Sequence, residues 1–206
     1  MQRYQEIICD KQYQDMIEKI KEYEKDREFC CHTLEHFCDV ARIMYILALE
    51  EGSSLDQDII YTTALLHDIG RMWEYEKGIP HEQASVEIAK EFLSKYAYED
   101  DEIRIITTAI GVHRKEEVTV QVDLHTTLCR PYERIKQKGN GAIYMRSLPH
   151  SVTEQPSAEL LQEEKEKNEL ADYLYRADKL SRNCFVCKAK NGCKWSEEKK
   201  NATLVL

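Results

Sequence analysis

Glycine and proline are scarce in this chain, 7 and 4 among 206 residues. A sandwich or barrel of many short strands needs both at its turns, so their scarcity favours long helices. Long apolar runs are missing as well. The opening segment "MQRYQEIICDKQYQDMIEKIKEYEKD" lacks the hydrophobic core of a secretion signal, and no segment reaches the roughly 20 apolar residues a membrane span requires. Positive charge is in deficit. The formal net charge of −9 disfavours a nucleic-acid polymer as partner, yet is compatible with a small anion held by a metal. These absences lead us to expect a cytoplasmic protein with no membrane attachment.

Hydrophobic residues make up 42% of the chain and charged residues 33%, the balance of a globular protein long enough for one domain with a real core. Residues 11–26 place Tyr13, Met16, Ile17, Ile20 and Tyr23 at helical spacing, and residues 32–50 repeat the pattern with Leu34, Phe37, Ala41, Met44 and Leu47. "EGSSLDQD" breaks the chain and offers caps for a third helix, about 56–68, apolar on most sides and therefore central. "EYEKGIP" reads as a loop, with Pro80 in the first turn of a fourth helix, about 81–96. "YEDDEIRIITTAIGVHR" predicts a fifth, with acidic residues in its first turn, and a further helix runs from about 157 through "ADYLYRADKLSR". The fold class is all-α.

Residues 117–157 depart from this regime. "EVTVQV" alternates β-branched residues, "IKQKGNGAIYM" suggests a turn between short strands, and between 118 and 150 Arg130, Arg134, Lys136, Lys138 and Arg146 outnumber Asp123 and Glu133. We read this stretch as an inserted loop or small hairpin, whose basic residues could lie over a bound anion, although a solvated surface loop is the commoner meaning of such a cluster.

The polar residues that draw attention are His36 in "LEHFCDVARI", His67 and Asp68 in "TTALLHDIGR", His81 in "IPHEQAS", His113 in "AIGVHRK" and Asp178 in "YRADKLSR". Each falls at or near one end of a predicted helix, in successive elements. Imidazole with carboxylate is the donor set of iron, manganese or zinc. His32, one helical turn before His36, reads as a surface residue ahead of the alternative, a residue that supports the ligands from behind.

The order H…HD…H…H…D, with "ALLHDIGR" at its centre and "YLYRAD" late in the chain, resembles the HD-domain superfamily of metal-dependent phosphohydrolases. The resemblance covers most of residues 30–182 apart from the insertion. It implies an HD-domain helical bundle over residues 1–182, interrupted at about 117–157, followed by a Cys-rich tail over 183–206. His81 and His113 match positions filled in a small bacterial subgroup with a two-metal centre, which includes the YqeK-type hydrolases of diadenosine tetraphosphate. That subgroup has Thr where this chain has Arg114, which leaves the substrate open.

The resemblance implies one metal held by His36, His67, Asp68 and Asp178 and a second by His81 and His113, with Asp68 bridging. Two divalent transition metals, iron or manganese ahead of zinc, would then generate metal-bound hydroxide for attack on a small phosphorylated substrate such as a nucleotide. Small residues before the dyad (Thr62, Thr63, Ala64) would let neighbouring helices approach. Arg71, Arg114 and Lys115 are candidate phosphate clamps, although each also fits an ordinary helix end. Two other functions fit the same ligand order: a di-iron oxygenase, and a non-catalytic metal- or nucleotide-binding regulator.

Eight cysteines without a secretion signal read as reduced thiols or metal ligands rather than disulfides. Cys184, Cys187 and Cys193 in "NCFVCKAKNGCKW" have spacing suited to zinc or an iron–sulfur cluster, with Cys129, Cys30 or Cys31 as possible fourth ligands. The alternative is a set of plain thiols packing the tail.

Overall fold

The computed structural model describes residues 2–114 and 158–203, and every regular element among them is helical. In chain order these are α1 (Arg3–Cys9), α2 (Lys11–Tyr23), α3 (Leu34–Glu50), α4 (Gln57–Leu66), α5 (Arg71–Lys77), α6 (His81–Lys95), α7 (Asp100–Val112) and α8 (Ala158–Leu180). Three short 3-10 turns follow α8. The insertion read at 117–157 lies outside the described residues, as do Lys115 and Cys129.

Helix α4 is the hub. Ile59, Ile60, Ala64, Leu65 and Leu66 are all buried, and so are Thr62 and Thr63 between them. Buried hydroxyls need partners. Thr63 Oγ1 donates to the Ile59 carbonyl at 2.8 Å, and Thr62 pairs with the Tyr98 hydroxyl at 2.5 Å. Around α4 pack α1, α3 and α7, while α8 lies against α3 and α7, and α6 against α7. Tyr13, fully buried on α2, donates its hydroxyl to the Leu65 carbonyl at 2.9 Å, satisfying an acceptor that the end of α4 leaves open.

Two helices go beyond the sequence-based expectation. Helix α1 precedes the first predicted one and is fixed by Arg3, which is ion-paired to Asp58 and Glu102 at 2.6 Å each and stacked over Tyr98. Helix α5 occupies part of the segment read as a loop. Its apolar contribution is buried Met72 with partly buried Trp73 beside it, and Gly78 ends it in the left-handed conformation (φ +70°). In the other direction, the third predicted helix stops early. Helix α4 ends at Leu66, and His67 to Gly70 form a turn in which the Arg71 amide donates to the Asp68 carbonyl at 3.0 Å.

That turn is pressed against the start of α6. A β-carbon added to Gly70 would lie 2.3 Å from the His81 carbonyl oxygen and 2.3 Å from the Ser85 amide nitrogen. The Gly70 amide donates to Ser85 Oγ at 2.9 Å across the same gap. Both neighbours include helix backbone, which cannot swing aside. Gly70→Ala therefore should destabilise the protein by about 1–3 kcal/mol or more through overpacking, read as a lower urea midpoint. An unchanged midpoint would show that the turn and α6 separate freely.

Candidate metal centre

The turn after α4 delivers His67 and Asp68 into the interior, where four other helix ends meet them. His36 comes from the first turn of α3, whose N-cap is Thr33. His81 opens α6, His113 closes α7, and Asp178 sits near the end of α8. All of these side chains are buried. Adjacent residues at a helix end can serve one locus from two sides, which a continuous helix would forbid.

Asp68 stands at the centre. Its Oδ1 lies 3.2 Å from His81 Nε2 and 3.6 Å from His113 Nε2, while Oδ2 lies 3.5 Å from His67 Nε2. His36 Nε2 is 3.5 Å from Asp178 Oδ1. Donor atoms of His36, His67, Asp68 and Asp178 fall within 4.8 Å of one another, and so do those of Asp68, His81 and His113.

The far side of each ring is already engaged. His67 Nδ1 meets the Ala64 carbonyl at 2.7 Å and His113 Nδ1 the Ile110 carbonyl at 2.6 Å. His36 Nδ1 pairs with Ser181 Oγ at 3.2 Å, and His81 Nδ1 with Glu74 Oε1 at 3.2 Å. Such bonds place the proton on Nδ1 and leave Nε2 as a lone-pair donor, the arrangement of metal-ligating histidines. The inward atoms are left over: His36, His67 and His81 Nε2 and Asp68 Oδ1 are buried without a hydrogen-bond partner. Each buried orphan costs about 1–3 kcal/mol, and the cluster of them could hold a cation.

Protonation states agree for His36, His67, His81, Asp68 and Asp178, with His113 the exception. Burial pushes the His36 imidazole down to about 2, with Arg182 adding to the effect, and His67 down to about 4. His81 is lowered too, chiefly by burial. Burial would raise the Asp68 carboxyl, but His67, His32 and Arg71 hold it well below the usual range. Asp178 follows the same logic, burial being outweighed by Arg182 and Lys179. His113 moves upward because Asp68 outweighs its burial. Neutral imidazoles and ionised carboxylates are the ligating forms.

The reading of His32 as a surface residue is overturned. His32 is 2% exposed, with Nε2 3.2 Å from Asp68 Oδ2. It is held from behind by Glu24, which contacts His32 Nδ1 at 2.6 Å and accepts from the His32 amide at 2.6 Å. Tyr75 donates to Glu24 Oε1 at 2.6 Å. The chain between α2 and α3 folds inward here, and no periodic pattern marks a non-helical segment that does so. Arg182 was also unforeseen. It is buried, donates to Asp178 Oδ1 at 2.6 Å, and its signal is the i, i+4 spacing from Asp178.

Of the candidate clamps, Arg71 lies at the site, 3.4 Å from Asp68 Oδ1 and paired with Glu74 at 2.9 Å. Arg114 is exposed, its guanidinium 3.8 Å from Glu82 Oε2. Cys184, Cys187 and Cys193 lie apart from these ligands, on the turns after α8. A cleft of about 420 Å³, lined by Trp73, Ile79, Val86 and Gly111, opens beside α6 and shares Glu82 with the surroundings of His81.

Residues 33–183 match the HD domain family, and the chain belongs to it. An uncharacterized protein of Clostridium beijerinckii is 37% identical over 201 residues, covering 98% of this chain and 97% of its own length. No solved structure matches the chain. The family is generally one of metal-dependent hydrolases. No described helix is long and apolar enough to cross a membrane.

Glu24 supplies a test of the inward-folded segment. Burial would raise its carboxyl, but His32 and Tyr75 bring it down to about 2 from an ordinary 4.5. A carboxyl depressed in the folded state adds stability that is fully present above the unfolded pKa and lost as pH falls through the folded one. Glu24→Gln should therefore cost roughly 1–3 kcal/mol near neutrality, and the gap from wild type should shrink as pH falls from 4.5 toward 2. Unfolding curves at several pH values check this; a gap independent of pH would contradict it.

Proposed function

We propose that this HD-domain protein is a metal-dependent phosphohydrolase with a dinuclear centre. The observation that carries the reading is the division of labour at Asp68: one carboxylate oxygen faces His81 and His113, the other faces His67. His36, His67, Asp68 and Asp178 would hold one ion, and Asp68, His81 and His113 the other. The residues fit such ions because the inward Nε2 atoms of three of them and Asp68 Oδ1 are buried and unpaired. Bound there, two divalent transition metals, iron or manganese ahead of zinc, would supply Lewis acidity and activate water for attack on a phosphoester.

The protein's own groups do the rest. Ala64 and Ile110 carbonyls fix the rings of His67 and His113, so ligation costs little reorganisation. Glu24 holds His32 against Asp68 and so fixes the carboxylate's orientation. Arg71, half-buried beside Asp68, is placed to neutralise a phosphate by exchanging one of its present carboxylate partners for it. Arg114 and Lys115 are the outer candidates for the same role.

The additional His81 and His113 favour the two-metal YqeK-type subgroup, and with it a cytoplasmic nucleotide substrate, including a dinucleoside polyphosphate. The apolar cleft beside α6 suits the organic part of such a molecule.

Phosphate release from nucleotides and dinucleoside polyphosphates, assayed with manganese and with ferrous iron, tests this. Asp68→Ala should lower turnover at least about 100-fold, since it removes a ligand from both ions, with helix content by circular dichroism retained. Unchanged turnover would reject the site. Oxygen uptake in place of hydrolysis would move the protein to the oxygenase reading.

A further inference from the structure

The cysteines after α8 are not used by the centre just described. Cys184 and Cys187 flank one 3-10 turn, the Cys187 amide donating to the Cys184 carbonyl at 3.3 Å. Cys193 caps the next turn, whose first residue, Lys190, donates its amide to the Cys187 carbonyl at 3.4 Å. All three thiols are free and partly shielded.

This segment has an unusual energetic position. No described residue from Asn183 to Thr203 is buried. A stretch without a core of its own needs another tie, and in small segments that tie is a disulfide or a metal. Polar tethers exist: Asn201 donates to the Leu180 carbonyl at 2.6 Å and Lys200 to the Lys190 carbonyl at 3.2 Å. They return the chain toward the end of α8 and leave the thiols between them.

The structure also separates the candidate fourth ligands. Cys184 lies within electrostatic reach of Cys187, Cys193 and Cys30. Cys30 likewise acts on Arg182. Its neighbour Cys31 donates its thiol to the Phe29 and Glu24 carbonyls at 3.5 Å and 3.8 Å, and is thereby engaged elsewhere. The segment before α3 and the tail after α8 thus bring a fourth thiol to the other three.

Spacing favours a larger group over zinc. Tetrahedral zinc–thiolate bonds of about 2.3 Å hold their sulfurs about 3.8 Å apart. Among the described residues, the sets of three or more ligand atoms within 4.8 Å of one another are the two imidazole–carboxylate groups, and no three of the thiols lie that close together. A four-iron–four-sulfur cluster binds each thiolate through a different iron and requires the wider arrangement. Such a cluster with four thiolates is anionic, and Arg182 near Cys30 and Lys200 near Cys184 and Cys193 supply facing positive charge.

We propose that Cys30, Cys184, Cys187 and Cys193 bind a four-iron–four-sulfur cluster that ties the tail to the segment before α3.

The full-length protein is purified without oxygen, reconstituted with ferrous iron and sulfide, and assayed for iron, acid-labile sulfide and visible charge-transfer absorption. About four sulfides per chain with that absorption are expected. Sulfide reports on the cluster alone, so His81→Ala should retain it whether or not the phosphohydrolase reading holds. Cys30→Ser and Cys184→Ser should each lose most of the sulfide, whereas Cys31→Ser, which shares the same segment, should retain it. Zinc without sulfide, no sulfide after reconstitution, or a full cluster in Cys30→Ser would each overturn the proposal.

Discussion

A single buried carboxylate organises the molecule. Asp68 is 2% exposed, and an ionised carboxylate in that position is sustained only by opposite charge or ligation. Imidazoles from the helix ends and from the segment before α3 close around it, with Arg71 at its edge. Because His32, His81 and His113 come from different parts of the chain, the carboxylate registers the bundle as much as the bundle positions the carboxylate. With inward Nε2 atoms unpaired, the arrangement carries a cost that a cation offsets.

The surrounding packing makes that convergence possible. Helix α4 is lined with small and apolar residues and ends abruptly, so its C-terminal turn projects the His–Asp pair into the space between neighbours. Gly70 lets that turn touch the backbone of α6, and Ser85 ties the two together. His81 then opens α6 within 3.2 Å of Asp68. On the opposite side, Arg182 and Lys179 neutralise Asp178 where it faces His36. A rigid helical frame holding ring orientations through backbone carbonyls is what preorganised ligation requires.

Much of this was legible in the sequence, for reasons that differ by residue. The long amphipathic helices were visible through their periodicity, and the buried hub through its lack of a polar face. The His and Asp residues were visible because they sat at helix ends in a familiar order, and that resemblance supplied their grouping. Helix α5 was obscured because Gly78 and Pro80 closely follow it and because its residues are mostly charged. Helix α1 is too short to show a period, and its anchoring through Arg3 depends on Asp58 and Glu102, far along the chain. His32 was misread because burial there comes from a non-helical segment folding back onto Glu24, and nothing local distinguishes that glutamate from its charged neighbours. Cys30 and Cys31 were equivalent as letters; only the fold separates their surroundings.

Anomalous diffraction from crystals loaded with manganese or ferrous iron addresses the central claim most directly. Two metal peaks are expected to flank the Asp68 carboxylate, one beside His36, His67 and Asp178, the other beside His81 and His113. A single peak, or none touching Asp68, would contradict the bridging role on which the proposed chemistry rests.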